Sequence, residues 1–409
     1  MSATLIIERL GHRGDGIATT AGDTVFVPYA LPGETVQTSS EGERRKLEQI
    51  VSASKARIKP ICSHFGTCGG CHLQHLDRSL YLKWKSRLVE EALAREELEI
   101  KPEPIIPFGA HERRRVVFTA IRSGAQTTLG FSERNTNRVV DISQCPVLMP
   151  RIEQALPVVQ AIASHLAPRS GTMKLSVVAC DNGLDIAIST GGFTPEEARQ
   201  KAIGEASDPA IARLTLNDEM LIERRRPLLV IGRALVTPPP GGFVQAVQGA
   251  EQAMASLVTK HLFDCRHTAD LFSGFGTFAL RLAERSTVLA VESDGAALAT
   301  LVRSWREAGG ALKPISTTKR DLFRSPVTAN ELKRIDGVVF DPPRAGAQAQ
   351  ATQLARSLVP RIAAVSCNPG SLARDLRILV DGGYRLLSVT PIDQFVFTPH
   401  VEAVALLER

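Results

Sequence analysis

The sequence lacks the features that mark several large classes of protein. Its 409 residues contain no apolar run approaching the roughly 18 residues of a membrane span, and no basic and apolar leader opens the chain. We therefore expect a cytoplasmic protein with no membrane association. The cysteine count, seven, is odd, which is typical of a reducing compartment rather than of a disulfide scaffold.

A strong excess of charge is also missing, since 49 basic side chains against 43 acidic ones leave a net charge of +6. Such a balance permits a polyanionic partner without requiring one. The basic residues are concentrated locally, because only one acid, Asp77, lies among the seven of them between Val51 and Leu88. We interpret this stretch as a candidate RNA-facing surface; its basic residues are Lys55, Arg57, Lys59, Arg78, Lys83, Lys85 and Arg87.

The length predicts two or three domains. Residues 1–54 consist of short apolar runs separated by turns such as Gly11–Gly16 and Leu31–Glu34, a pattern typical of a small all-β barrel. This stretch resembles the TRAM domain, an OB-like barrel that many RNA-modifying enzymes carry. A β-extension that does not bind RNA is the alternative.

Residues 57–238 have mixed α+β patterning. The apolar spacing predicts a helix over Ser79–Glu97 and strands at Val116–Ile121 and Leu175–Ala179. The run Pro238–Gly242 cannot continue a helix or a central strand, so we place a domain boundary there.

Residues 241–409 alternate strands with helices, which predicts a mostly parallel α/β sheet with ligands at the carboxyl ends of its strands. A helix is expected near Thr277–Glu284. The predicted strands are His267–Phe272, Val288–Glu292, Gly337–Asp341, Ala363–Ser366 and Ala403–Leu407.

A cofactor turn is predicted at Asp270–Thr277, where a strand, a glycine-containing turn and a helix start follow one another. Glu292 ends the next strand, where a carboxylate can accept the hydroxyls of a ribose. The third glycine of a phosphate-binding turn is replaced by Ala279. This replacement favours S-adenosylmethionine over a dinucleotide, and a purely structural turn is the remaining alternative.

Three further polar residues lie at the ends of apolar runs. Asp341 opens an Asp-Pro-Pro-Arg sequence, Cys367 lies in Ser-Cys-Asn-Pro, and Glu402 is the acid that opens the final strand. A thiol at the edge of a sheet is placed for nucleophilic attack, and a buried acid is placed for chemistry. Arg344 stands where amine methyltransferases commonly carry an aromatic residue, which counts against amine methylation.

A thiol, a base and a methyl donor suit methylation of uracil C5. This carbon is too weak a nucleophile to take a methyl group directly, and addition of the Cys367 thiolate at C6 would activate it. Glu402 would then remove the C5 proton. An RNA cytosine-C5 methyltransferase is disfavoured, because its Asp-Pro loop normally contains a Pro-Cys pair that Asp341–Arg344 lacks.

Four cysteines form a second candidate site: Cys62, Cys68 and Cys71, completed by Cys145. Zinc and iron–sulfur clusters both accept four thiolates, and the spacing alone leaves the two open. The neighbouring histidines are interpreted as surface or RNA-contacting residues rather than as ligands; they are His64, His72 and His75.

Together these motifs resemble the uracil-C5 RNA methyltransferase family over the whole chain. The residues that carry the resemblance are the four cysteines, Phe243–Gln245, Asp270–Thr277, Asp341–Arg344, Ser366–Pro369 and His400–Glu402. The sequence departs from the family pattern at Val247 and Thr277, where the family often has asparagine.

The resemblance implies an OB-like TRAM barrel, a mixed α+β central domain and a C-terminal Rossmann-like methyltransferase domain. We expect a monomer, although no sequence feature indicates the oligomeric state. It implies a [4Fe-4S] cluster at the four cysteines, with Cys367 as nucleophile and Glu402 as base. The implied residues of the S-adenosylmethionine and substrate pocket are Gln245, Phe272, Thr277, Glu292, Asp321 and Asp341.

The expected substrate is 23S ribosomal RNA, with transfer RNA as the alternative for the same chemistry. A non-catalytic iron–sulfur RNA-binding protein is the alternative from another class. Only 5% of the residues are aromatic, so base stacking depends on few candidates, such as Phe243, Phe275 and Phe395. Cys180 and Cys265 have no predicted role.

Overall fold

A small β-structure forms the N-terminal part of the computed structural model, which describes residues 2–20, 22–39 and 42–409. Its two antiparallel sheets have the orders β1-β5-β6 and β2-β3-β4. Apolar side chains on alternate strand positions, among them Leu5, Val25 and Val36, form its core. The strands are β1 (Ser2–Ile6), β2 (Arg9–Leu10), β3 (Gly16–Thr20), β4 (Asp23–Val27), β5 (Thr35–Ser39) and β6 (Leu47–Ser52).

The cysteine-bearing segment, residues 53–77, leads into helix α1 (Arg78–Arg95). Asp77 caps this helix by accepting hydrogen bonds from the backbone of Ser79 and Leu80. The predicted helix over Ser79–Glu97 is thus confirmed, although it begins one residue earlier and ends two residues earlier. Its second half packs against the C-terminal part of the chain through residues such as Leu93.

A mixed seven-stranded sheet follows, in the order β13-β12-β11-β10-β7-β8-β9, and α3 and α4 cover one of its faces. The strands predicted at Val116–Ile121 and Leu175–Ala179 are its β7 and β10. The elements are β7 (Arg115–Ser123), β8 (Gln126–Ser132), β9 (Val139–Asp141), α2 (Pro150–Gln154), α3 (Leu156–Leu166), β10 (Met173–Cys180), β11 (Gly183–Thr190), α4 (Glu196–Glu205), β12 (Ile211–Leu216) and β13 (Glu219–Glu223).

A short hairpin, β14 (Leu229–Ile231) and β15 (Ala234–Val236), precedes the proline run. Leu229 and Val236 belong to the hydrophobic core of the C-terminal sheet rather than to that of the central sheet. Packing therefore places the hairpin and the second half of α1 with the C-terminal sheet, although both lie within the predicted central domain.

The C-terminal sheet has the order β18-β17-β16-β19-β20-β22-β21, and its first five strands are parallel. This arrangement confirms the predicted Rossmann-like fold. The helix expected near Thr277–Glu284 is reduced to the four residues of α6. The elements are α5 (Gln248–His261), β16 (His267–Leu271), α6 (Ala279–Leu282), β17 (Thr287–Glu292), α7 (Gly295–Glu307), β18 (Ile315–Lys319), β19 (Gly337–Phe340), α8 (Gln348–Ala355), β20 (Arg361–Ser366), α9 (Pro369–Asp381), β21 (Arg385–Ile392) and β22 (Glu402–Glu408).

Two hydrophobic cores flank this sheet, one beneath α5 to α7 and the other beneath α8, α9 and α1. Cys180 and Cys265 are both buried in the first core, where a thiol behaves as a small apolar side chain. Within the described residues, no helix combines the length and the apolar character that crossing a membrane requires.

Candidate active site

A cavity of about 480 Å³ opens at the carboxyl ends of the parallel strands. This is the edge at which α/β sheets bind ligands, because the strand order reverses there and leaves a crevice. All of the predicted catalytic and cofactor residues line it: Gln245, Phe272, Thr277, Glu292, Asp321, Asp341, Cys367 and Glu402.

The turn after β16 requires unusual backbone conformations. Phe272, Gly274 and Gly276 have φ values of 62°, 52° and 100°. A Cβ on Gly276 would collide with Leu301, so this position needs glycine for space as well as for conformation. Phe272 is a non-glycine residue in the left-handed region, a form of strain that concentrates at functional sites.

Glu292 holds the turn from the neighbouring strand. Its Oε2 accepts a hydrogen bond from the Gly274 N–H at 3.0 Å. Its Oε1 accepts from the Ser293 and Asp294 N–H groups at 2.6 and 2.9 Å. The carboxylate is thereby fixed at the cavity wall, with lone pairs left for the hydroxyls of a ligand.

An aromatic pair lies on the same side of the cavity. The rings of Phe272 and Phe323 are 5.5 Å apart between centroids, and Asp321 lines the wall beside them. The Asp321 carboxylate accepts a hydrogen bond from the Phe323 N–H at 2.9 Å. Flat apolar faces next to acceptor oxygens suit a purine nucleoside.

Cys367 lies between the end of β20 and the start of α9. Asn368 caps α9 by accepting a hydrogen bond from the Gly370 N–H and donates to the Arg344 carbonyl at 3.0 Å, which ties the two loops together. Burial raises the pKa of the Cys367 thiol to about 11, and the carboxyls of Glu402 and Asp341 add to the rise. The thiol is therefore protonated at neutral pH in the ligand-free protein.

Two carboxyl groups, those of Asp341 and Glu402, face the cavity with hydrogen bonds from carboxamides. Burial raises the pKa of Asp341 to about 7, although a hydrogen bond from Gln245 acts in the opposite direction. Burial and the proximity of Asp341 also raise the pKa of Glu402 well above its usual value. In the described part of the chain, neither acid forms a salt bridge, so one of them stays protonated easily.

The structure adds residues that the sequence analysis missed. Gln394 bridges Glu402 and Gln245, and the buried Asp393 beside it pairs with Lys85 of α1. The sequence contained a signal for these two residues. In the stretch from 386 to 397, which is apolar except for Ser388 and Thr390, Asp393 and Gln394 form a polar pair.

A second cavity, of about 450 Å³, adjoins the first and shares Phe395 with it. All four predicted metal ligands line this cavity: Cys62, Cys68, Cys71 and Cys145. Among residues 2–20, 22–39 and 42–409, however, no three potential ligands converge on the position of a single metal ion. Four thiols around one cavity are therefore brought together without forming a one-metal site.

Buried polar atoms without hydrogen bonds lie beside these thiols. The Tyr29 hydroxyl and Arg134 Nη1 have no partner in the part of the chain that the structure describes, and the Arg134 guanidinium is 5.4 Å from the centre of the Tyr29 ring. Burial raises the pKa of Tyr29, Arg134 lowers it, and the nearby thiols of Cys68 and Cys71 raise it further. Donors of this kind fit a group that carries acceptor sulfurs.

The interpretation of His75 as a surface or RNA-contacting residue is wrong. Its side chain is completely buried and packs against Phe65, with ring centroids 5.2 Å apart. Burial lowers the pKa of His75 to about 4, so the ring is neutral at physiological pH. His64 and His72 do line the cysteine cavity.

Only some of the seven basic residues predicted to form an RNA-facing surface between Val51 and Leu88 are exposed. Arg57 pairs with Glu34, and Arg78 and Lys85 both pair with Asp393. These three side chains are used within the fold because acids distant in sequence meet them there. The exposed members are Lys55, Lys59, Lys83 and Arg87.

The three aromatic candidates for base stacking differ in exposure. Phe243 is 63% exposed at the rim of the first cavity, with the Arg115 guanidinium 4.9 Å from its ring centre. Phe395 lies between the two cavities. Phe275 is only 4% exposed and belongs to the hydrophobic core, so it is poorly placed to stack on a base.

Two stretches of the chain match described families. Residues 239–409 match tRNA (Uracil-5-)-methyltransferase, and residues 3–38 match the TRAM domain. Among solved structures, the tRNA (uracil-54, C5)-methyltransferase of Pyrococcus abyssi in complex with S-adenosyl-L-homocysteine has a similar fold. Its TM-score is 0.77 at 22% identity, with 99% of each chain covered.

Curated relatives match over nearly the full length. An uncharacterized RNA methyltransferase of Mesorhizobium japonicum is 46% identical over 409 residues, which cover 100% of this chain and 98% of the relative. The 23S rRNA (uracil(1939)-C(5))-methyltransferase of Halomonas elongata is 31% identical over 437 residues, with 99% of this chain and 89% of the relative covered.

Proposed function

Because the chain belongs to the uracil-C5 RNA methyltransferase family, we propose that it forms 5-methyluridine in 23S ribosomal RNA through a covalent bond between Cys367 and the uracil ring. The observation that carries the proposal is the convergence of Cys367, Glu402 and the glycine turn on one cavity. The family reaction depends on S-adenosylmethionine.

The cavity residues suit that cofactor. Phe272 and Phe323, whose rings contact each other, would together form an apolar wall for the adenine, with Asp321 beside them, and Glu292 would accept the ribose hydroxyls. Gln245 and Thr277 line the same cavity toward Asp341. Bound there, S-adenosylmethionine supplies an electrophilic methyl group.

Cys367 is the proposed nucleophile. Its thiol loses a proton to solvent, and the thiolate adds to C6 of uracil while the C5–C6 π electrons move into the O4 enolate. C5 thereby becomes nucleophilic enough to form a bond to the methyl carbon, while the bond from that carbon to the sulfonium sulfur would break and leave S-adenosylhomocysteine. Asp341, which accepts a hydrogen bond from Gln245 at 3.1 Å, faces the same space and would hold the polar edge of the base.

Glu402 is the proposed base. Its carboxylate removes the proton from C5, the electrons of the C5–H bond restore the C5–C6 double bond, and Cys367 leaves as a thiolate. The net change replaces one hydrogen of uracil by a methyl group and releases one proton. A base of raised pKa fits this step because it binds the abstracted proton well.

Ribosomal RNA is favoured by the Halomonas elongata relative, which is named for that substrate and is similar over nearly the whole chain. Transfer RNA is the second candidate, since the family matched at 239–409 is described by it. Purified 23S and transfer RNAs should be methylated side by side and the product nucleotide mapped. We expect methyl transfer to the ribosomal RNA, and modification of transfer RNA alone would contradict this assignment.

The covalent step is tested with RNA that contains 5-fluorouridine. With this RNA we expect a stable complex with wild-type protein and none with Cys367→Ala. With ordinary RNA, Glu402→Gln should hold methylated RNA as a covalent complex, and its turnover should fall by roughly 10²- to 10⁴-fold. Absence of the wild-type complex would support a non-catalytic RNA-binding protein instead. Free turnover by Glu402→Gln would refute the assignment of the base.

We further propose that Cys62, Cys68, Cys71 and Cys145 hold a [4Fe-4S] cluster. Four thiols line one cavity, and four cysteine thiolates are the usual ligands of such a cluster. The cluster would stabilise the cysteine-bearing segment and shape the RNA surface, since the proposed reaction needs no electrons.

Iron analysis and visible absorption of anaerobically purified protein test this proposal. We expect about four irons per chain, and zinc in their place would contradict it. Cys68→Ser should lose the cluster, stability and RNA affinity, whereas Thr67→Ala, an exposed change in the same segment, should keep all three. If Cys68→Ser kept its fold and RNA affinity but lost methyl transfer, the structural role would be wrong.

A further inference from the structure

We propose that Gln394 is a positioning residue that orients the Glu402 carboxylate for removal of the C5 proton, and that α1 fixes Gln394 through its neighbour Asp393. The inference rests on the proposed function of Glu402 as the base. It is carried by hydrogen bonds that connect the cavity to a buried ion pair on α1.

The side-chain nitrogen of Gln394 has two protons and two acceptors. Nε2 lies 3.0 Å from Glu402 Oε2 and 2.9 Å from Gln245 Oε1. The Gln394 side chain is 1% exposed, so no solvent competes for these bonds. Within the described residues, Glu402 Oε1 accepts no hydrogen bond, and this second oxygen is left to receive a proton from a ligand in the cavity.

The bridge continues to the other acid of the cavity. Gln245 accepts from Gln394 through Oε1 and donates through Nε2 to Asp341 Oδ2 at 3.1 Å. Two carboxamides thus lie between the buried Glu402 carboxyl and the partly buried Asp341 carboxyl and give each of them one donor. Because no cation pairs with either acid in the described structure, these carboxamides are the groups that orient them.

Asp393 anchors the backbone next to Gln394. Its carboxylate accepts hydrogen bonds from three side chains of α1: Lys85 at 2.5 Å, Tyr81 at 2.8 Å and Arg78 at 3.0 Å. Lys85 also donates to the Phe395 carbonyl at 2.8 Å. The residues on both sides of Gln394 are therefore held by one helix.

The same helix holds the loop farther along. The Phe397 N–H donates to the Tyr81 hydroxyl at 2.8 Å, and the Phe397 carbonyl accepts from the N–H groups of His72 and Leu73. Phe397 itself has a φ of 62°, a conformation that a phenylalanine keeps only when its surroundings fix it. Loop 393–400 is thus placed by contacts outside the C-terminal sheet.

The test compares Gln394→Met, which keeps the volume and removes the donor, with Gln353→Met. Gln353 accepts one backbone hydrogen bond, from the Ala329 N–H, away from the cavity. For Gln394→Met we expect product release in single turnover to fall by roughly 10- to 100-fold. Methylated RNA should accumulate on Cys367, and the acidic limb of the pH profile should move to higher pH, because a lost donor disfavours the carboxylate form.

Gln353→Met should release product at the wild-type rate and keep the wild-type pH profile. Gln394→Asn, whose carboxamide is one methylene shorter, should reproduce the accumulation if Gln394→Met folds poorly. The inference is overturned if Gln394→Met and Gln394→Asn both give the wild-type ratio of covalent adduct to released product. It is also overturned if the rates of adduct formation and of product release fall by the same factor while the acidic limb of the pH profile stays in place.

Complexes with 5-fluorouridine RNA separate this inference from the proposed function. The fluorine occupies the position of the proton that Glu402 removes, so trapping does not depend on the base. We expect wild type and both Gln394 variants to form this complex equally. Its absence in the wild type would mean that the proposed function fails, whatever the role of Gln394.

Discussion

Acidic side chains lie inside the protein in two neighbouring regions, and their hydrogen-bond partners differ: carboxamides in one region and cations in the other. In the cavity at the strand ends, Asp341 and Glu402 have carboxamide neighbours and, among the described residues, form no salt bridge. At the junction between α1 and loop 393–400, Asp393 is fully buried and pairs with Lys85 and Arg78. The first arrangement keeps a carboxyl available for proton transfer, and the second uses it as a fixed point of the fold.

Electrostatics explain the difference. An acid buried without a cation binds its proton more tightly, as the pKa of about 7 for Asp341 indicates. At the junction, burial lowers the pKa of Lys85 to about 8, since desolvation outweighs the attraction of Asp393. The ammonium group is still charged at neutral pH, and the pair stays intact.

The largest effect on stability is expected from Lys85→Met. This change removes the fully buried cation and leaves Asp393 with Arg78, whose side chain is 37% exposed, as its charged partner. The loss of one partner of a buried ion pair should lower the free energy of unfolding by about 3–5 kcal/mol. Urea denaturation measures it. Lys83→Met, an exposed lysine on the same helix, is the control, and an equal loss in both variants would remove the distinction between the two regions.

A change of the opposite sign is expected in the cavity. The folded-state pKa of Asp341 lies above its usual value of 3.8, so ionisation of this carboxyl destabilises the fold as pH rises from about 4 to about 7. Asp341→Asn should therefore stabilise the ligand-free protein above pH 7, by up to about 4 kcal/mol, and have little effect near pH 4.

Thermal unfolding at several pH values tests this second prediction. Asp218→Asn, at an exposed acid, is the control. If Asp341→Asn destabilises the protein at pH 8, the carboxyl contributes to the fold as Asp393 does, and the two regions do not differ in the proposed way.

The smallest effect is expected from Arg78→Met. Arg78 binds the same carboxylate as Lys85, at 3.0 Å, but its side chain is 37% exposed. Solvent screens this pair, so its loss should lower the free energy of unfolding by about 1 kcal/mol or less in urea denaturation. If Arg78→Met lowered the free energy of unfolding as much as Lys85→Met, the number of cations around Asp393, rather than their burial, would determine how much these ion pairs stabilise the fold.

Periodicity and strand-end motifs predicted much of the fold and the cavity. Cys367 and Asp341 each follow an apolar run, and strand ends in a parallel sheet meet at one edge, so their approach was predictable. Local pattern could not predict the partners of Lys85, because its acid lies 308 residues away along the chain. For the same reason Arg57, Arg78 and Lys85 were interpreted as surface charges.

Gln394 shows a different limit. The polar pair of Asp393 and Gln394 in an apolar stretch marks the position, but nothing in the local sequence indicates which groups Gln394 bonds. Its role becomes visible only when β21 and β22 bring it beside Gln245 and Glu402. The burial of His75 was likewise unpredictable, because it depends on packing against Tyr29 and Phe65 rather than on the neighbouring sequence.

The separation of 308 residues between Lys85 and Asp393 has a consequence for synthesis of the protein. During translation, α1 leaves the ribosome long before the segment that neutralises its buried ammonium exists. Burying that charge alone costs several kcal/mol, so α1 cannot dock stably until the last strands have been made. Contacts this distant in sequence form late in folding. Loop 393–400 is therefore among the last parts of the nascent chain to reach its folded position.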